Sequence, residues 1–378
     1  MKFTILGAGL IGAPMAKDLA ADKGTHVLAV DVDPQALARL RNVRRLMTLR
    51  ADLSDPAAVE QAANGADVVI SAVPGFLGFQ TLRTVLKAGK NVVDIAFFPE
   101  DPFSLDKMAK RKGLTAVVDC GVAPGMSSIL AAHALGKLDK AESITIYVGG
   151  LPEVREWPYE YKAVFSPLDV IEEYVRPARY IENGRMVVRP ALSDPELLSF
   201  PGIGTLEGFN TDGLRTMANT LNVPNMKEKT LRYPGHIEKM AVLRETGFFD
   251  TEETEVKGLK VRPIDFTAAL LFPKWKLHRG EADITVMKVI IEGTKKRKPV
   301  RITYDLLDRF DERTGIHSMA RTTGYTATLA ARMIARGLYR RKGISAPEHI
   351  GFNKRCVKFM LEGLAERGVV YRESVGPA

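Results

Sequence analysis

Short apolar runs alternate with stretches of helical patterning along the first third of the chain. The runs are Phe3–Leu6, His26–Val30, Leu46–Leu49, Val68–Ser71, Val92–Ile95 and Leu114–Val118. Each is too short for a helix, rich in Val, Ile or Leu, and predicts a strand. Helical patterns separate them at Ala13–Ala21, Pro34–Arg41, Pro56–Asn64, Phe76–Lys87 and Ser104–Lys112. Such alternation predicts a parallel sheet with helices on both faces. Nearly continuous Val and Ile suit strands buried on both sides.

Past Ala141 the rhythm changes. Ser143–Gly149 reads as a strand. Arg179–Arg189, with Glu182-Asn183-Gly184 in its middle, reads as a hairpin. Glu281–Glu292 and Val300–Phe310 read as two long paired strands, and helical patterns stand at Pro234–Glu245 and Pro263–Leu277. Strands gathered with few helices predict a second, α+β domain with a mostly antiparallel sheet. From Thr322 the pattern is helical again, over Gly324–Tyr339 and Gly351–Arg367, with turn residues at Gly343–Pro347. The expected fold is α/β: a doubly wound Rossmann domain over 1–126, an inserted α+β substrate and oligomerisation domain over 127–320, and helices over 321–378 that return to the first domain.

The first strand turns through Gly7-x-Gly9-x-x-Gly12, followed by the helical run. In a strand–turn–helix unit these glycines have separate tasks. Gly7 permits the tight turn, Gly9 lets backbone approach a pyrophosphate, and Gly12 lets helix and strand pack closely. The amides around Leu10 and Ile11 open the helix and offer N–H groups and a positive dipole end to the phosphates. Asp31 ends the second strand about twenty residues past Gly12, where a ribose-binding acid is expected. An acid there accepts hydrogen bonds from the 2′-hydroxyl and repels a 2′-phosphate, which favours NAD over NADP.

In doubly wound sheets, ligands bind beyond the carboxyl ends of the strands. That rule nominates four further loops. Asp52-Leu53 would meet the adenine, although Asp52 is equally suited to capping a helix, with Asp55 nearby. Ala72-Val73-Pro74 would run along the pyrophosphate and nicotinamide. Asp94 would sit near the nicotinamide ring, or else cap a neighbouring helix. Cys120 and Gly121 begin a glycine- and proline-rich loop, Asp119–Met126, that would pass beside the cofactor. Cys120 reads as a packing residue, since no histidine is its partner in sequence.

The later half offers Tyr161 and Lys162, then Thr230–His236, then Arg244. His236 stands at a predicted helix start, where positive charge is disfavoured and the pKa is lowered. It suits either proton acceptance or a hydrogen-bonded surface position. Arg232 and Arg244 have the chemistry to clamp a carboxylate. No metal cluster, GxSxG, HExxH or P-loop lysine is present in the sequence.

Composition narrows the remaining classes. The 378 residues are 46% hydrophobic and 26% charged, an ordinary globular balance with room for two domains. The net charge of +9 is scattered. Its densest run, Lys295-Lys296-Arg297-Lys298, lies between two predicted strands and reads as a solvated hairpin tip. No basic face interleaved with aromatics argues for nucleic acid. Two distant cysteines suit a reducing, cytoplasmic setting. No apolar run has the length of a membrane span, and the opening strand leaves no signal peptide.

The motifs together resemble the saccharopine dehydrogenase-like family. The resemblance is carried by GAGLIG at Gly7–Gly12, Val93–Phe97, Asp119–Met126, Thr230–His236 and Gly324–Ala327. Phe165-Ser166-Pro167-Leu168 and Glu172-Glu173-Tyr174 point to its lysine 6-dehydrogenase branch. That resemblance implies NAD-dependent oxidative deamination of the lysine ε-amine and a homodimer or homotetramer. The site would hold an amine carbon about 3–3.5 Å from the nicotinamide and deprotonate an amine of pKa about 10.4. Asp94 or His236 is then expected to transfer the proton and Arg244 to grip the α-carboxylate. Tyr161 and Lys162 are second choices lining the cleft. Two alternatives stay open: a saccharopine-type enzyme acting on a secondary amine between two amino acids, and a non-catalytic NAD(H)-binding sensor.

Overall fold

The computed structural model describes residues 1–278 and 280–378. The chain divides into two compact units, Met1–Asp139 with Met319–Tyr371, and Lys140–Ser318 with Arg372–Ala378.

The first unit is built on β1 (Lys2–Leu6), β2 (His26–Asp31), β3 (Leu46–Arg50), β4 (Val68–Ser71), β5 (Asn91–Asp94) and β6 (Thr115–Val117). They lie in the order 3-2-1-4-5-6, all parallel, with Gly343–Ser345 added beside β6 as a seventh strand. The strand interiors are apolar on both faces, as in β4, every residue of which is buried. The strand order reverses between β1 and β4, the point at which doubly wound sheets bind ligands beyond the carboxyl ends of their strands. The apolar runs predicted all six strands to within a residue or two. The seventh, Gly-Ile-Ser, reads as a turn in sequence. It becomes a strand because Gly343 pairs with Thr115 across the sheet edge.

The C-terminal helices belong to this unit. Helix Ser318–Ala335 packs on helix α1 (Gly12–Ala21): a Cβ on Gly324 would meet Met15 Cγ at 3.1 Å. Buried Arg332 fastens the pair. Its Nε donates to Asp22 at 2.7 Å, and its Nη groups donate to the Asp18 side chain and carbonyl. Arg367 and Thr328 also donate to Asp18. Helix Lys354–Glu366 completes the layer, with Gly363 against Leu329.

The second unit holds a nine-stranded mixed sheet. At its centre Lys140–Pro152 pairs antiparallel with Asp283–Lys295 and parallel with Asn225–Arg232. Asp283–Lys295 folds back onto Lys298–Arg309 in a long hairpin. The basic run forms its tip: Lys296 and Arg297 take left-handed φ of 50° and 64°, and all four side chains from Lys295 to Lys298 are exposed. Asn183 (φ 50°) and Gly184 (φ 76°) turn the smaller hairpin Ala178–Glu182 to Arg185–Arg189. Glu196–Phe200, Gly204–Asn210 and Asn225–Arg232 were not evident in the sequence. Their charged and glycine-containing patterns are strands by cross-strand pairing.

Candidate functional site

The loop after β1 is shaped by its glycines. Gly7 has φ +96°, and a Cβ there would lie 2.4 Å from the Ala72 carbonyl oxygen. It therefore lies against the loop that follows β4. Gly12 touches Gly7 so closely that a Cβ would fall 1.9 Å from its carbonyl oxygen. Over Gly9 there is open space, with no atom within 4 Å of a Cβ. No side chain caps the start of α1, so the amide end of that helix is left for an external acceptor. This cradle fits a pyrophosphate.

Asp31 ties the cradle to β2. Its Oδ2 accepts from the Ala8 amide at 2.6 Å and its Oδ1 from the Asp33 amide at 2.9 Å. The side chain is half-buried, and each oxygen keeps a lone pair for a ribose hydroxyl. Beside it, exposed Arg50 donates Nε to the Val32 carbonyl at 3.2 Å. Sequence reading passed over Arg50, although its place at the carboxyl end of β3 was a usable signal.

The other nominated loops take distinct roles. Asp52 is exposed and accepts from the Ser54 amide and hydroxyl, and these bonds hold its carboxyl below the usual range. Asp55, not Asp52, caps helix Pro56–Ala63. The Leu53 side chain belongs to the core under the sheet. Ala72 donates to the Leu6 carbonyl, Val73 is buried, and Pro74 opens helix Gly75–Lys87. Asp94 is fully buried and its Oδ1 accepts from the Ala96 amide at 2.9 Å, which closes its own turn. The Cys120 amide donates to the Asp94 carbonyl. Burial, with Asp119 and Asp94 nearby, pushes the Cys120 thiol far up, which leaves an inert packing residue. Gly121 closes the following loop by donating to Pro124, and its missing side chain makes room for Thr323.

The candidates of the second unit gather around one buried network. Arg232, 2% exposed, donates to Glu173 at 2.5 Å and to the Tyr174 hydroxyl, and lies over the Tyr161 ring at 4.6 Å. The Tyr174 hydroxyl meets His236 Nε2 at 3.0 Å, and His236 Nδ1 meets the Tyr159 carbonyl at 2.9 Å. The carbonyl can only accept, so Nδ1 carries the proton and Nε2 accepts from Tyr174. Trp275, Phe209 and Phe249 pack around the group. Burial first, then Arg232, lowers the His236 pKa to about 3. The lowering foreseen from the helix start is present, but burial is its main cause. Both ring nitrogens are occupied in the interior, an arrangement that positions the Tyr159 segment.

Arg244 braces rather than reaches. It donates to the carbonyls of Ala191 and Tyr174 and to Glu245. Lys162 is buried and pairs with Glu156 at 3.0 Å and Glu281 at 3.6 Å. Tyr161 is buried against Trp275 and His236. Glu173 is pushed up by burial, against the pull of Arg232. Among the described residues no group of His, Cys, Asp or Glu could hold a metal ion, and no helix is long and apolar enough to cross a membrane.

Comparison with known families places this geometry in a family. The model for the saccharopine dehydrogenase C-terminal domain matches residues 121–369, and that for the saccharopine dehydrogenase NADP binding domain matches residues 3–117. The chain belongs to the saccharopine dehydrogenase family. Family membership makes the first unit a Rossmann-type dinucleotide-binding domain. One relative is the saccharopine dehydrogenase [NADP(+), L-glutamate-forming] of Schizosaccharomyces pombe. It is 23% identical over 98% of this chain and 98% of its own length. Another is the mitochondrial alpha-aminoadipic semialdehyde synthase of Bos taurus, 22% identical over 98% of this chain. The chain spans about half of that relative's length, 47%. The apo saccharopine dehydrogenase (L-Glu forming) of Saccharomyces cerevisiae has the same fold, with a TM-score of 0.80 at 18% identity over 99% of both chains.

Proposed function

We propose that the protein is a nicotinamide-dinucleotide-dependent oxidoreductase of the saccharopine type, acting on a secondary amine that joins two amino acids. What carries this reading is the match of both family domains along nearly the whole chain, together with a glycine cradle open over Gly9. The reading assigns 1–126 to dinucleotide binding, 127–320 to the substrate and to oligomerisation, and 321–378 to helices that buttress the first domain.

When bound, a nicotinamide supplies a hydride acceptor. The C–H next to the amine nitrogen gives up hydride and the nitrogen gives up a proton, leaving a C=N bond. Water then cleaves that bond to an aldehyde and a primary amine. Gly7 to Gly12 hold the phosphates and Asp31 the adenosine ribose. For the proton we favour Asp94 over His236, because Asp94 lies at the carboxyl end of a central strand while both nitrogens of His236 are occupied. We further propose NAD as the preferred dinucleotide, since the Asp31 carboxylate repels a 2′-phosphate. The relatives named for NADP(+) and the adjacent Arg50 support the opposite choice.

One observation favours a second reading, deamination of lysine. A substrate with several carboxylates needs several cations. Arg232, Arg244, Lys162 and Lys229 are all engaged by internal acids or carbonyls.

The test is a two-by-two assay of saccharopine and lysine, each with NAD⁺ and NADP⁺. Reduced nicotinamide is followed by absorbance and products by mass spectrometry. The saccharopine-type reading expects saccharopine to be cleaved to an amino acid and an aldehyde. Turnover of lysine alone transfers the assignment to the second reading. Dinucleotide binding without turnover of either amine points to a sensor.

A further inference from the structure

Helix Gly75–Lys87 buries the face that carries Gly78, Leu82, Val85 and Leu86. Its opposite stripe is Phe76, Gln80, Arg83 and Lys87, spaced i, i+4, i+7 and i+11. Gln80, Arg83 and Lys87 suit water, as an outward stripe requires. Phe76 does not: its side chain stands out at 72% exposure. Folding recovers little hydrophobic free energy from a ring left in water, so packing within the chain does not account for an aromatic residue there.

Its position does. Helical side chains lean towards the amino end of their helix, so a ring in the first turn reaches over the carboxyl edge of the sheet. The residues just before it, Ala72-Val73-Pro74, are those on which the cradle packs, since a Gly7 Cβ would lie 2.4 Å from the Ala72 carbonyl oxygen. One turn further on, Gln80 Nε2 donates to the Ser54 carbonyl at 3.0 Å. Leu53 and Leu82 also share one core. These contacts set the start of the helix beside the loop that follows β3, and β3 is the neighbour of β2, which ends in Asp31. The ring therefore belongs to the adenosine end of the cradle. In that loop Asp52 takes both bonds from Ser54 on Oδ1. Among the described residues its Oδ2 has no partner, which leaves an acceptor for an exocyclic amine.

We propose that Phe76 stacks on the adenine ring of the bound dinucleotide. A purine presents a flat π-face that an aromatic side chain covers. The proposal rests on dinucleotide binding by the first unit. It adds the group that grips the base to those that hold the phosphates and the ribose.

Calorimetric titration of the full chain with NADH and with ADP-ribose, which has the adenine but no nicotinamide, tests it. Phe76→Ala should weaken both by about tenfold and leave the melting temperature unchanged, because the ring is not packed in the free protein. Phe76→Trp should bind both at least as tightly as the wild type, and ADP-ribose should quench its added tryptophan emission. Affinities of Phe76→Ala within twofold of the wild type overturn the proposal. So does a loss confined to NADH, which would place the ring at the nicotinamide. A wild type that binds neither nucleotide overturns dinucleotide binding itself, and the stacking with it.

Discussion

A single methyl group is enough to close the dinucleotide cradle. The Gly12 Cβ position lies 1.9 Å from the Gly7 carbonyl oxygen, a backbone atom that cannot step aside. Gly12→Ala is therefore expected to weaken dinucleotide binding by at least tenfold in a calorimetric titration, whereas Gly9→Ala, with open space above it, should fold normally. Glu228 shows the same crowding in the second unit. Its carboxyl accepts from Thr211 at 2.6 Å and lies 2.0 Å from where a Gly213 Cβ would be. Burial raises its pKa from 4.5 to about 8, so the folded protein keeps a proton that the unfolded chain releases. Its stabilising contribution is complete below about pH 4.5 and is lost as pH rises to about 8. His236 works in the other direction. Lowered from 6.5 to about 3, it stays neutral while the unfolded chain takes up a proton, so stability falls as pH drops from about 6.5 towards 3. Melting temperature against pH should show both slopes. Glu228→Gln should flatten the alkaline one, and an unchanged alkaline limb would show that Glu228 does not titrate there.

Among elements, the pairing of helix Ser318–Ala335 with α1 depends on one cation. Arg332 is 2% exposed and satisfies both Asp18 and Asp22. Arg332→Ala strands these carboxylates, and removing one partner of a buried ion pair costs roughly 3–5 kcal/mol. Urea unfolding should show a loss of that size; a loss below about 1 kcal/mol would mean that Arg367 alone neutralises Asp18. Nothing in the sequence linked Arg332 to residues some three hundred positions earlier. The central strands of the first unit were legible because they are buried on both faces and must be apolar throughout, as in β4. Asn225–Arg232 was not, because it buries Glu228, Lys229 and Arg232, residues whose burial depends on partners from other elements. The hairpin at Asn183-Gly184 was legible because its turn residues must accept positive φ.

At the scale of the whole molecule, dinucleotide binding and the second unit can be probed separately. Ligand stabilises only what it binds, by about 2.7 kcal/mol at a hundredfold excess over Kd. Saturating NAD should therefore slow hydrogen exchange in Met1–Asp139 and Met319–Tyr371, first of all around Gly7–Gly12. Protection confined to Lys140–Ser318 would displace the cofactor site from the cradle. Asp31→Ala should narrow the difference between NAD and NADP affinity, and a wild type that binds NADP more tightly would assign the adenosine end to Arg50. Taken alone, the sequence determined the parallel sheet, the glycine turn and the acid at the end of β2. These rest on periodicity and backbone conformation, which are local. The tertiary structure decided that His236 and Arg232 form one buried network, that the donors of Arg244 are spent on carbonyls and on Glu245, and that Gly343–Ser345 is a strand. In each case the outcome depends on which distant group arrives to satisfy a polar atom, and spacing along the chain carries no record of that.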